Sequence, residues 1–347
     1  MTGSLKILIT GGAGYIGSHA CVVAAEAGYE PVVLDNLINS NPIAIQRVGD
    51  ITGKTPVLEV GDVNDSAFLD QVFKRHQFAA VIHMAGLKAV GESTEQALRY
   101  YSNNVGGAMA LCEAMAAHGV GNLIFSSSAT VYGDIAEMPI NETAPRSATN
   151  PYGMSKLMIE HILEDQVKAD QLTQQNFWNI ACLRYFNPVG AHPSGKIGED
   201  PRNIPNNLAP YIAQVAVGKR EQVSVFGDTY ATIDGTGVRD YIHVMDLVEG
   251  HIAALDYLLK RESGFSAWNL GTGKGYSVLQ MIAAFEAACG KPIPYQITDK
   301  RSGDIAECWA DAGKALSDLG WRATRDLEAM VADAWRWQVN NPDGFGQ

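Results

Sequence analysis

The chain has 347 residues, of which 46% are hydrophobic and 18% charged, and its formal net charge is −12 at pH 7. This length suits two lobes better than one core, and the acidic balance, with no basic stripe to offset it, argues against nucleic acid or an anionic membrane as a partner. No apolar run reaches the length of a membrane span, and no charged-then-apolar leader precedes the first predicted strand.

Strand-like and helix-like segments alternate through the first half of the chain. Short, fully apolar strand centres such as Val32–Leu34 favour a parallel sheet that is buried on both faces. The predicted strands are Lys6–Thr10, Glu30–Asp35, Thr55–Val60, Ala80–Met84, Asn122–Ser128 and Trp178–Tyr185. The helices predicted between them are Ile16–Ala27, Ala67–Arg75, Gln96–Ala117 and Pro151–Ala169. This alternation predicts an α/β fold with a doubly wound parallel (Rossmann) sheet, in which ligands bind at the carboxyl ends of the strands.

The character of the chain changes after residue 186, where loops rich in Pro and Gly indicate a domain boundary. We expect an NAD-binding domain over 1–188 and a smaller, mixed α/β substrate domain over 189–347. The helices predicted in the second half are Leu208–Val217, Val278–Cys289 and Asp326–Val339. The segment 240–259 has the pattern of another strand and helix, so we expect part of it to pack back on the first domain.

Three glycines, each separated by two residues, follow the first predicted strand and open the first helix: Gly11, Gly14 and Gly17. Gly11 permits a tight turn, Gly14 lets the backbone approach a pyrophosphate, and Gly17 lets the helix lie close to the sheet. Free N–H groups at the helix start attract the anion. A turn with a purely structural role is the alternative, but the strand before it and the helix after it favour a dinucleotide site.

Asp35 ends the second strand, eighteen positions after Gly17. A carboxylate there accepts hydrogen bonds from the hydroxyls of the adenosine ribose and repels a 2′-phosphate, so we predict NAD rather than NADP. Capping of a helix is the alternative role for Asp35. Asp62 follows the third strand, where an adenine fits, and Gly86 allows a close backbone approach near the nicotinamide ribose. We interpret His83 as a core histidine.

Ser128 ends the fifth strand, where this fold has its reaction site. Tyr152 and Lys156 lie four residues apart on a helix that begins at Pro151, so they share one face of it. A cation beside a phenol stabilises the phenolate, so we expect the pKa of Tyr152 to fall toward the range of a general base. Such a pair alone is often a surface feature, but together with the glycine loop and the strand-end serine it indicates catalysis.

These motifs resemble the extended short-chain dehydrogenase/reductase superfamily and, more closely, its UDP-galactose (UDP-glucose) 4-epimerase family. The similarity runs over nearly the whole chain, and it lies in long strings that are more specific than any single motif. The strings are Thr10–His19, Ala85–Ser93, Ser126–Asp134, Leu183–Pro193 and Gly235–Leu247.

The resemblance assigns roles to individual residues and implies no metal. The NAD-binding residues that it implies are Gly11, Gly14, Tyr15, Ile16, Gly17, Asp35, Asn36, Asn39, Ser40, Asp62, Val63, Ala85, Gly86, Lys88, Asn103, Ser128, Tyr152, Lys156 and Phe186. The residues implied for the UDP-sugar are Lys88, Ser128, Tyr152, Asn187, Asn207, Leu208, Val225, Phe226, Arg239, Arg301, Asp304 and Cys308. The arginines fit a diphosphate, which needs bidentate donors in an acidic protein. Leu208 and Phe226 have core packing as the alternative role.

The activity implied by the resemblance is reversible C4 epimerisation of UDP-glucose and UDP-galactose with bound NAD. Tyr152 takes the proton of the 4-hydroxyl, Ser128 hydrogen-bonds the same oxygen, and the 4-keto sugar turns over on its diphosphate tether. The resemblance implies that relatives with narrow substrate specificity have a tyrosine at the position of Cys308. The smaller cysteine is therefore expected to leave room for a 2-acetamido group, as in UDP-GlcNAc and UDP-GalNAc, unless neighbours such as Trp309 fill the space.

Two other functions are open alternatives. A nucleotide-sugar 4,6-dehydratase or reductase of the same superfamily is one, although Ala129 and Thr130 stand where dehydration needs an Asp–Glu pair. A non-catalytic NAD-binding regulator is the other, although such a protein does not need the Tyr152 and Lys156 pair.

Cysteine usage and helix faces give two further expectations. The five cysteines (Cys21, Cys112, Cys182, Cys289 and Cys308) are scattered without a close pair, which indicates reduced thiols and a cytoplasmic protein rather than disulfides or a zinc site. The predicted helices Gln96–Ala117 and Pro151–Ala169 carry apolar faces. The resemblance implies that they pair with a second copy in a homodimer.

Overall fold

The computed structural model describes residues 4–135, 137–201, 205, 207–301 and 304–346. The strands are β1 (Lys6–Thr10), β2 (Glu30–Asp35), β3 (Val57–Val60), β4 (Ala80–His83), β5 (Asn122–Ser128), β6 (Asn179–Tyr185), β7 (Asn187–Val189), β8 (Val223–Phe226), β9 (Val238–His243), β10 (Gly264–Leu270), β11 (Gly275–Ser277), β12 (Tyr295–Thr298) and β13 (Glu307–Cys308). The helices are α1 (Tyr15–Glu26), α2 (Ile43–Thr52), α3 (Ser66–Arg75), α4 (Val90–Glu95), α5 (Ala97–Tyr100), α6 (Gly107–Ala117), α7 (Pro151–Leu172), α8 (Leu208–Ala216), α9 (Val244–Leu258), α10 (Val278–Cys289), α11 (Gly313–Leu319) and α12 (Leu327–Asn340).

Seven parallel strands form the central sheet, in the order β3-β2-β1-β4-β5-β6-β10. The first six follow the strand order of a dinucleotide-binding sheet, whose ligand crevice opens where the order reverses, between β1 and β4. Helices cover both faces, so residues such as Ile7, Leu8 and Ile9 are completely buried although they point to opposite sides. This double burial explains the continuous apolar runs in the sequence. The predicted doubly wound sheet is confirmed.

The two faces of the sheet have separate cores. On one face, α1 and α9 pack together, for example through Val22 and Leu247. On the other, α3, α6 and α7 contribute residues such as Leu69, Leu111 and Leu163. Segments from both sides of the predicted boundary at 188 and 189 share this sheet, because α9 covers one face and β10 is its edge strand next to β6.

The predicted helix Gln96–Ala117 is confirmed as a continuous helical segment over Ala97–Ala117, but it is not a regular α-helix. The segment contains α5, then a π-helix over Tyr101–Gly106, and only then α6. The wider turn accompanies the burial of Asn104, whose side chain accepts from Leu87 N at 2.8 Å and donates to Ser155 Oγ at 3.0 Å. A polar residue that is bound on two sides holds this insertion in place, and such bulges are frequent at functional sites.

The remaining strands form a smaller α/β unit. In it, β9 pairs with β7, β11 and β13, and β8 pairs with β12. Helices α8, α10 and α12 enclose its core, in which Ile212, Phe285 and Val331 are buried. The unit lies beside the carboxyl ends of the large sheet, since β7 begins two residues after β6 ends.

Candidate active site

The glycine turn between β1 and α1 is tightly enclosed by backbone. Gly11 has φ +70°, donates its N–H to Leu34 O at 2.8 Å, and a Cβ there would lie 2.9 Å from Ala85 N. A Cβ on Gly17 would lie 2.3 Å from Gly11 O, so α1 reaches the turn only without a side chain. Gly14 is the N-cap and provides no side-chain hydrogen bond. The first-turn N–H groups are therefore available to an anion, which fits the pyrophosphate of a dinucleotide.

The two residues that follow Gly14 contribute differently. The Tyr15 hydroxyl donates to Gly190 O at 2.7 Å, and burial, reinforced by Glu199, raises the pKa of Tyr15. This side chain therefore joins α1 to the chain after β7. Ile16 packs against the core on the α1 face of the sheet. Their backbone N–H groups belong to the first turn of α1, so any contact of these two residues with a pyrophosphate is expected from the backbone.

The loop after β2 places polar groups at the next strand end. Asp35 accepts hydrogen bonds from Ala13 N (3.0 Å), Leu37 N (2.9 Å) and Ser40 Oγ (2.7 Å). A carboxylate has about four acceptor positions, so one remains for a ribose hydroxyl. Asn36, which the sequence placed beside Asp35, donates to Asp62 Oδ2 at 3.0 Å. The structure thus joins Asp35 to Ser40 and Asn36 to Asp62, and Asn39 lies in the same loop after β2.

The end of β4 forms the opposite side of the crevice. Ala85 N donates to Thr10 Oγ1 at 3.2 Å, which holds this turn against β1. A Cβ on Gly86 would lie 3.1 Å from Asn104 Oδ1, and Asn103 Nδ2 donates to that same oxygen at 3.0 Å. These contacts place Ala85, Gly86 and Asn103 together. Val63 lies buried behind them, where a Cβ on Gly107 would meet it at 2.7 Å.

His83 lies in the core below this turn, as predicted. Its Nδ1 is 2.7 Å from Thr10 Oγ1, and its ring stacks on Phe125. Burial, with a smaller effect of Lys156, lowers the pKa of His83 to about 3. The imidazole is therefore neutral at physiological pH, and its role is to pack in the core.

The predicted catalytic side chains meet where β5 ends and α7 begins. Asn150 caps α7 by accepting from Gly153 N at 2.9 Å, and Pro151 occupies the first turn, so the helix starts just before Tyr152. Tyr152 is 8% exposed, and its phenol lies near enough to Ser128 for that hydroxyl to act on its pKa. Lys156 is 4% exposed, and its Nζ donates to the carbonyl of Ser126 at 2.9 Å.

The electrostatics of this cluster correct one expectation. Burial raises the pKa of Tyr152, and the hydrogen bond with Ser128 lowers it by less. Burial lowers the pKa of Lys156 to about 8, and the ammonium lies 4.8 Å from the ring centre of Phe125. The predicted fall in the pKa of Tyr152 is thus wrong for this arrangement, because the spacing of four residues aligns the two side chains without showing how deeply they are buried. A cation close to the hydroxyl would lower the pKa again.

Cys308 lies beside the catalytic cluster. It packs against a small core that includes Val131, Tyr132 and Phe186, while its backbone pairs with Arg239 across β9 and β13. Burial raises the pKa of Cys308 to about 11, so the thiol is neutral. A small, uncharged side chain therefore packs at this position in the same cluster as Phe186.

Among the residues predicted for the UDP-sugar, Arg301 contacts both Asp304 and Phe226 in the smaller unit. Arg301 pairs with Asp304 at 2.8 Å and lies 4.6 Å over the ring of Phe226, next to the buried Val225. The Asp304 carboxylate uses only some of the five N–H donors of this guanidinium, so the others remain for an anion. The remaining predicted residues are Asn187, exposed at the start of β7, Asn207 and Leu208, at the start of α8, and Arg239, half-buried on β9.

Sequence reasoning missed Glu199. This carboxylate is 12% exposed and accepts from Lys88 Nζ at 3.2 Å and from Asn207 Nδ2 at 2.8 Å. It therefore joins the turn after β4 to the start of α8, two places predicted to bind ligand. The sequence offers no signal for this contact, since Glu199 lies in a loop without a recognisable motif.

The described residues contain no helix with the length and apolarity that a bilayer crossing requires. The same residues contain no group of three or more His, Cys, Asp or Glu side chains placed to hold a metal ion.

Comparison with known proteins relates this geometry to one family. A sequence profile of the family described as GDP-mannose 4,6 dehydratase matches residues 8–334. UDP-glucose 4-epimerase of Bacillus subtilis is 58% identical over 98% of this chain and 99% of that protein, and the Mus musculus enzyme is 55% identical over 98% and 99%. The chain belongs to the UDP-glucose 4-epimerase family.

Solved structures of this epimerase family have the same fold. The Bifidobacterium longum UDP-glucose 4-epimerase, crystallised with NAD+ and UDP, has a TM-score of 0.93 and 51% identity, over 98% of this chain and 99% of that one. The Stenotrophomonas maltophila enzyme, with bound NAD and formylated UDP-arabinopyranose, has a TM-score of 0.93 and 48% identity, over 97% and 99%. The predicted family resemblance is confirmed.

The matching profile is named after a dehydratase, but this site lacks the acidic pair that dehydration needs. Ala129 and Thr130 follow Ser128 in a short 3₁₀ turn, and the Thr130 hydroxyl donates to Ser128 Oγ at 2.9 Å. Neither side chain transfers protons as the Asp–Glu pair of a dehydratase does. The Bacillus subtilis and Mus musculus relatives, which match 98% of this chain, are named epimerases and not dehydratases.

Proposed function

We propose that this epimerase-family member interconverts UDP-glucose and UDP-galactose by inverting C4 while NAD stays bound. The observation that carries the proposal is the meeting of Ser128, Tyr152 and Lys156 at the sheet edge that also holds the glycine turn and Asp35. NAD, when bound, supplies reversible hydride exchange with C4 of the sugar. Relatives crystallised with NAD+ and UDP support both ligands.

The chain's own residues divide the remaining work. The Tyr152 hydroxyl, once ionised, takes the proton of the sugar 4-hydroxyl and later returns it, and Ser128 hydrogen-bonds the same oxygen. Lys156 is the cation within this cluster, and it holds the nicotinamide ribose. Burial of all three groups excludes water, which strengthens each of these interactions.

The reaction requires that UDP is bound firmly while the hexose is bound loosely, because the hexose has to present each of its two faces to the nicotinamide in turn. We assign the firm part to the UDP group, held by Arg239 and Arg301 with the residues around them. Bidentate guanidinium contacts suit a diphosphate in a protein of net charge −12. The hexose lies near Phe186 and Cys308, where the wall consists of apolar and thiol groups and few contacts restrain rotation.

The test is epimerisation by the purified protein without added NAD. We expect wild-type protein to carry NAD through purification and to convert UDP-galactose into UDP-glucose. Tyr152→Phe should lower kcat by about 100-fold or more and leave UDP binding intact. Tyr29→Phe is the matched control, because this phenol bonds Asp256 away from the site. Near-normal turnover in Tyr152→Phe would contradict the assignment.

A second activity, on UDP-GlcNAc and UDP-GalNAc, is proposed from the position of Cys308. The thiol lies among Val131, Tyr132 and Phe186 beside the catalytic cluster, so a larger side chain there would enter the sugar space. Cys308→Tyr should lower activity on the N-acetylated pair much more than on the UDP-hexose pair. Cys308→Ser, which keeps the size, is the control. Equal substrate ratios in wild type and Cys308→Tyr would rule the idea out.

We further propose a homodimer formed through α7 and the helices before it. Leu98 is 83% exposed on α5, and Met109 and Met158 are half-exposed on α6 and α7, so these helices present apolar groups outward. Leu98→Asp should shift the sedimentation of the protein from dimer to monomer, whereas Ile233→Asp, an equally exposed position in the smaller unit, should not. A wild-type protein that sediments as a monomer would exclude this interface.

The compartment proposed is the cytoplasm. All five cysteines are unpaired, and Cys21 and Cys182 are buried. Scattered thiols of this kind fit a reducing compartment. Fractionation of cells that express the tagged chain tests this, with recovery in the cytosolic fraction expected and recovery in a secreted or membrane fraction contradicting it.

A further inference from the structure

The end of β5 and the face of α7 meet in a regular series of contacts. Three successive strand residues each lie against one of three helix residues that are four positions apart. Ser126 O accepts from Lys156 Nζ (2.9 Å), Ser127 Oγ donates to Glu160 Oε1 (2.6 Å), and the Ser128 hydroxyl lies near the Tyr152 phenol. The outer two pairs contain the predicted catalytic groups. The middle pair, Ser127 with Glu160, has no role in the reaction as described so far.

Glu160 is completely buried and fully hydrogen-bonded. Arg184 donates to both carboxylate oxygens, with Nη2 at 2.8 Å and Nε at 3.0 Å, and Arg146 Nη1 donates at 2.9 Å. Arg184 lies opposite Ser127 in the register of β5 and β6, so both side chains reach α7 on the same face of the sheet. Burial by itself would raise the pKa of Glu160, but the bonds from Arg184, Ser127 and Arg146 outweigh it and lower that pKa.

We propose that Glu160, held by Ser127 and Arg184, is a positioning residue that fixes the axial register of α7 on the sheet and thereby sets Tyr152 against Ser128. This inference rests on the proposed function, because it concerns the base of that reaction.

The physical reason lies in the kinds of contact that α7 makes. Ile159 and Leu163 pack on the sheet face, and apolar contacts of this kind are not directional. Hydrogen bonds from four donor groups to one carboxylate tolerate little sliding, because their strength depends on distance and angle. A buried ion pair seldom adds net stability over an apolar pair of similar volume. Glu160 lies two helical turns beyond Tyr152, so it can hold the register without touching the reacting atoms.

The experiment compares Ser127→Ala with Asp170→Asn in the holoenzyme. Ser127→Ala removes the strand bond to Glu160 and leaves both arginines. Asp170 is a buried carboxylate at the far end of the same helix, where it accepts from Phe177 N (2.6 Å) and Trp178 N (2.8 Å). We expect Ser127→Ala to lower kcat about tenfold, since a displacement near 1 Å can cost up to 10²-fold. The KM for UDP-glucose and the NAD content should stay unchanged, and Asp170→Asn should keep kcat.

The pH profile separates positioning from general loosening of the fold. The bond from Ser128 lowers the pKa of Tyr152, so a displaced Tyr152 ionises at higher pH. Because kcat rises as the base ionises, its rising limb should move to higher pH in Ser127→Ala and stay in place in Asp170→Asn. If Ser127→Ala does not fold, Ser127→Cys replaces it in the experiment, because a thiol has a similar volume but is only a weak hydrogen-bond donor. The rising limb of its pH profile should also move to higher pH.

Two results would overturn the inference. One is an unchanged kcat and pH limb in the Ser127 variants, and the other is an equal loss of kcat in Asp170→Asn. Both are read against active wild-type enzyme. A wild type that does not epimerise UDP-glucose would instead contradict the proposed function, so the two failures are distinguishable.

Discussion

Gly17→Ala tests the dinucleotide cradle at its narrowest point. The added Cβ would lie 2.3 Å from Gly11 O and 2.6 Å from Gly12 Cα, and both atoms belong to the backbone. Carbon and carbonyl oxygen ordinarily approach no closer than about 3.3 Å. Helix α1 and the turn must therefore move apart by about 1 Å.

The magnitude follows from two opposing effects. Overpacking of this kind costs about 1–3 kcal/mol, whereas alanine in place of glycine in a helix favours folding by up to about 1 kcal/mol. We expect a net loss of about 1–2 kcal/mol, or a few degrees in Tm. The displacement also removes the first-turn N–H groups from their places around the pyrophosphate, so the purified variant should contain much less NAD than wild type.

The assay measures NAD per protein after desalting, together with thermal unfolding. Gly91→Ala is the matched control, because Gly91 lies in helix α4 and its Cβ would meet nothing within 4 Å. This control should keep its NAD and gain slightly in Tm. A Gly17→Ala protein with wild-type NAD content and Tm would refute the cradle as described.

Three further predictions follow from the charged and buried groups. Burial lowers the pKa of His19 and His83 to about 3 and that of His251 to about 4, so below pH 6.5 the unfolded state binds protons that the folded state does not. As the pH is lowered below 6.5, the free energy of unfolding should therefore decrease by about 1.4 kcal/mol per pH unit for each histidine. A Tm that is constant from pH 7 to 5 would contradict this. Arg301→Lys, which keeps the charge but loses the planar fork, should weaken UDP binding measured by calorimetry about tenfold, with kcat at saturation nearly unchanged; unaltered affinity would remove Arg301 from the site. Lys156→Met should reduce both kcat and NAD content, and full NAD retention would assign the lysine to catalysis alone.

The sequence predicted the strands of the large sheet well because their burial on both faces leaves an unambiguous pattern. The strands β1, β2 and β5 have the predicted bounds, from Lys6–Thr10 to Asn122–Ser128. It missed β10 (Gly264–Leu270), whose pairing with β6 depends on a chain that returns from the smaller unit. The π-helical stretch around Asn104 was missed too, since hydrophobic periodicity does not report a buried amide that widens a helical turn.

Many of the predicted cofactor and catalytic residues lie at the carboxyl ends of strands of the large sheet or at the start of the helices that follow them, because motif spacing fixes which strand ends carry them. The pKa shifts of the site residues were harder to predict from the sequence. The spacing of Tyr152 and Lys156 suggested a lowered pKa for the tyrosine, but the depth of burial decides the direction, and that depth is a property of the packed structure. Glu160 and Arg184 escaped notice for the same reason: each looks like a solvated surface charge until the two are seen to meet in the core.

The most direct test of the account uses UDP-galactose deuterated at C4 and the purified enzyme without added NAD. If the sugar is oxidised and reduced at one site by the retained cofactor, the UDP-glucose formed should keep its deuterium at C4, even in the presence of excess unlabelled NADH. Loss of the label to solvent or to the added cofactor, or a requirement for added NAD, would contradict the proposed reaction.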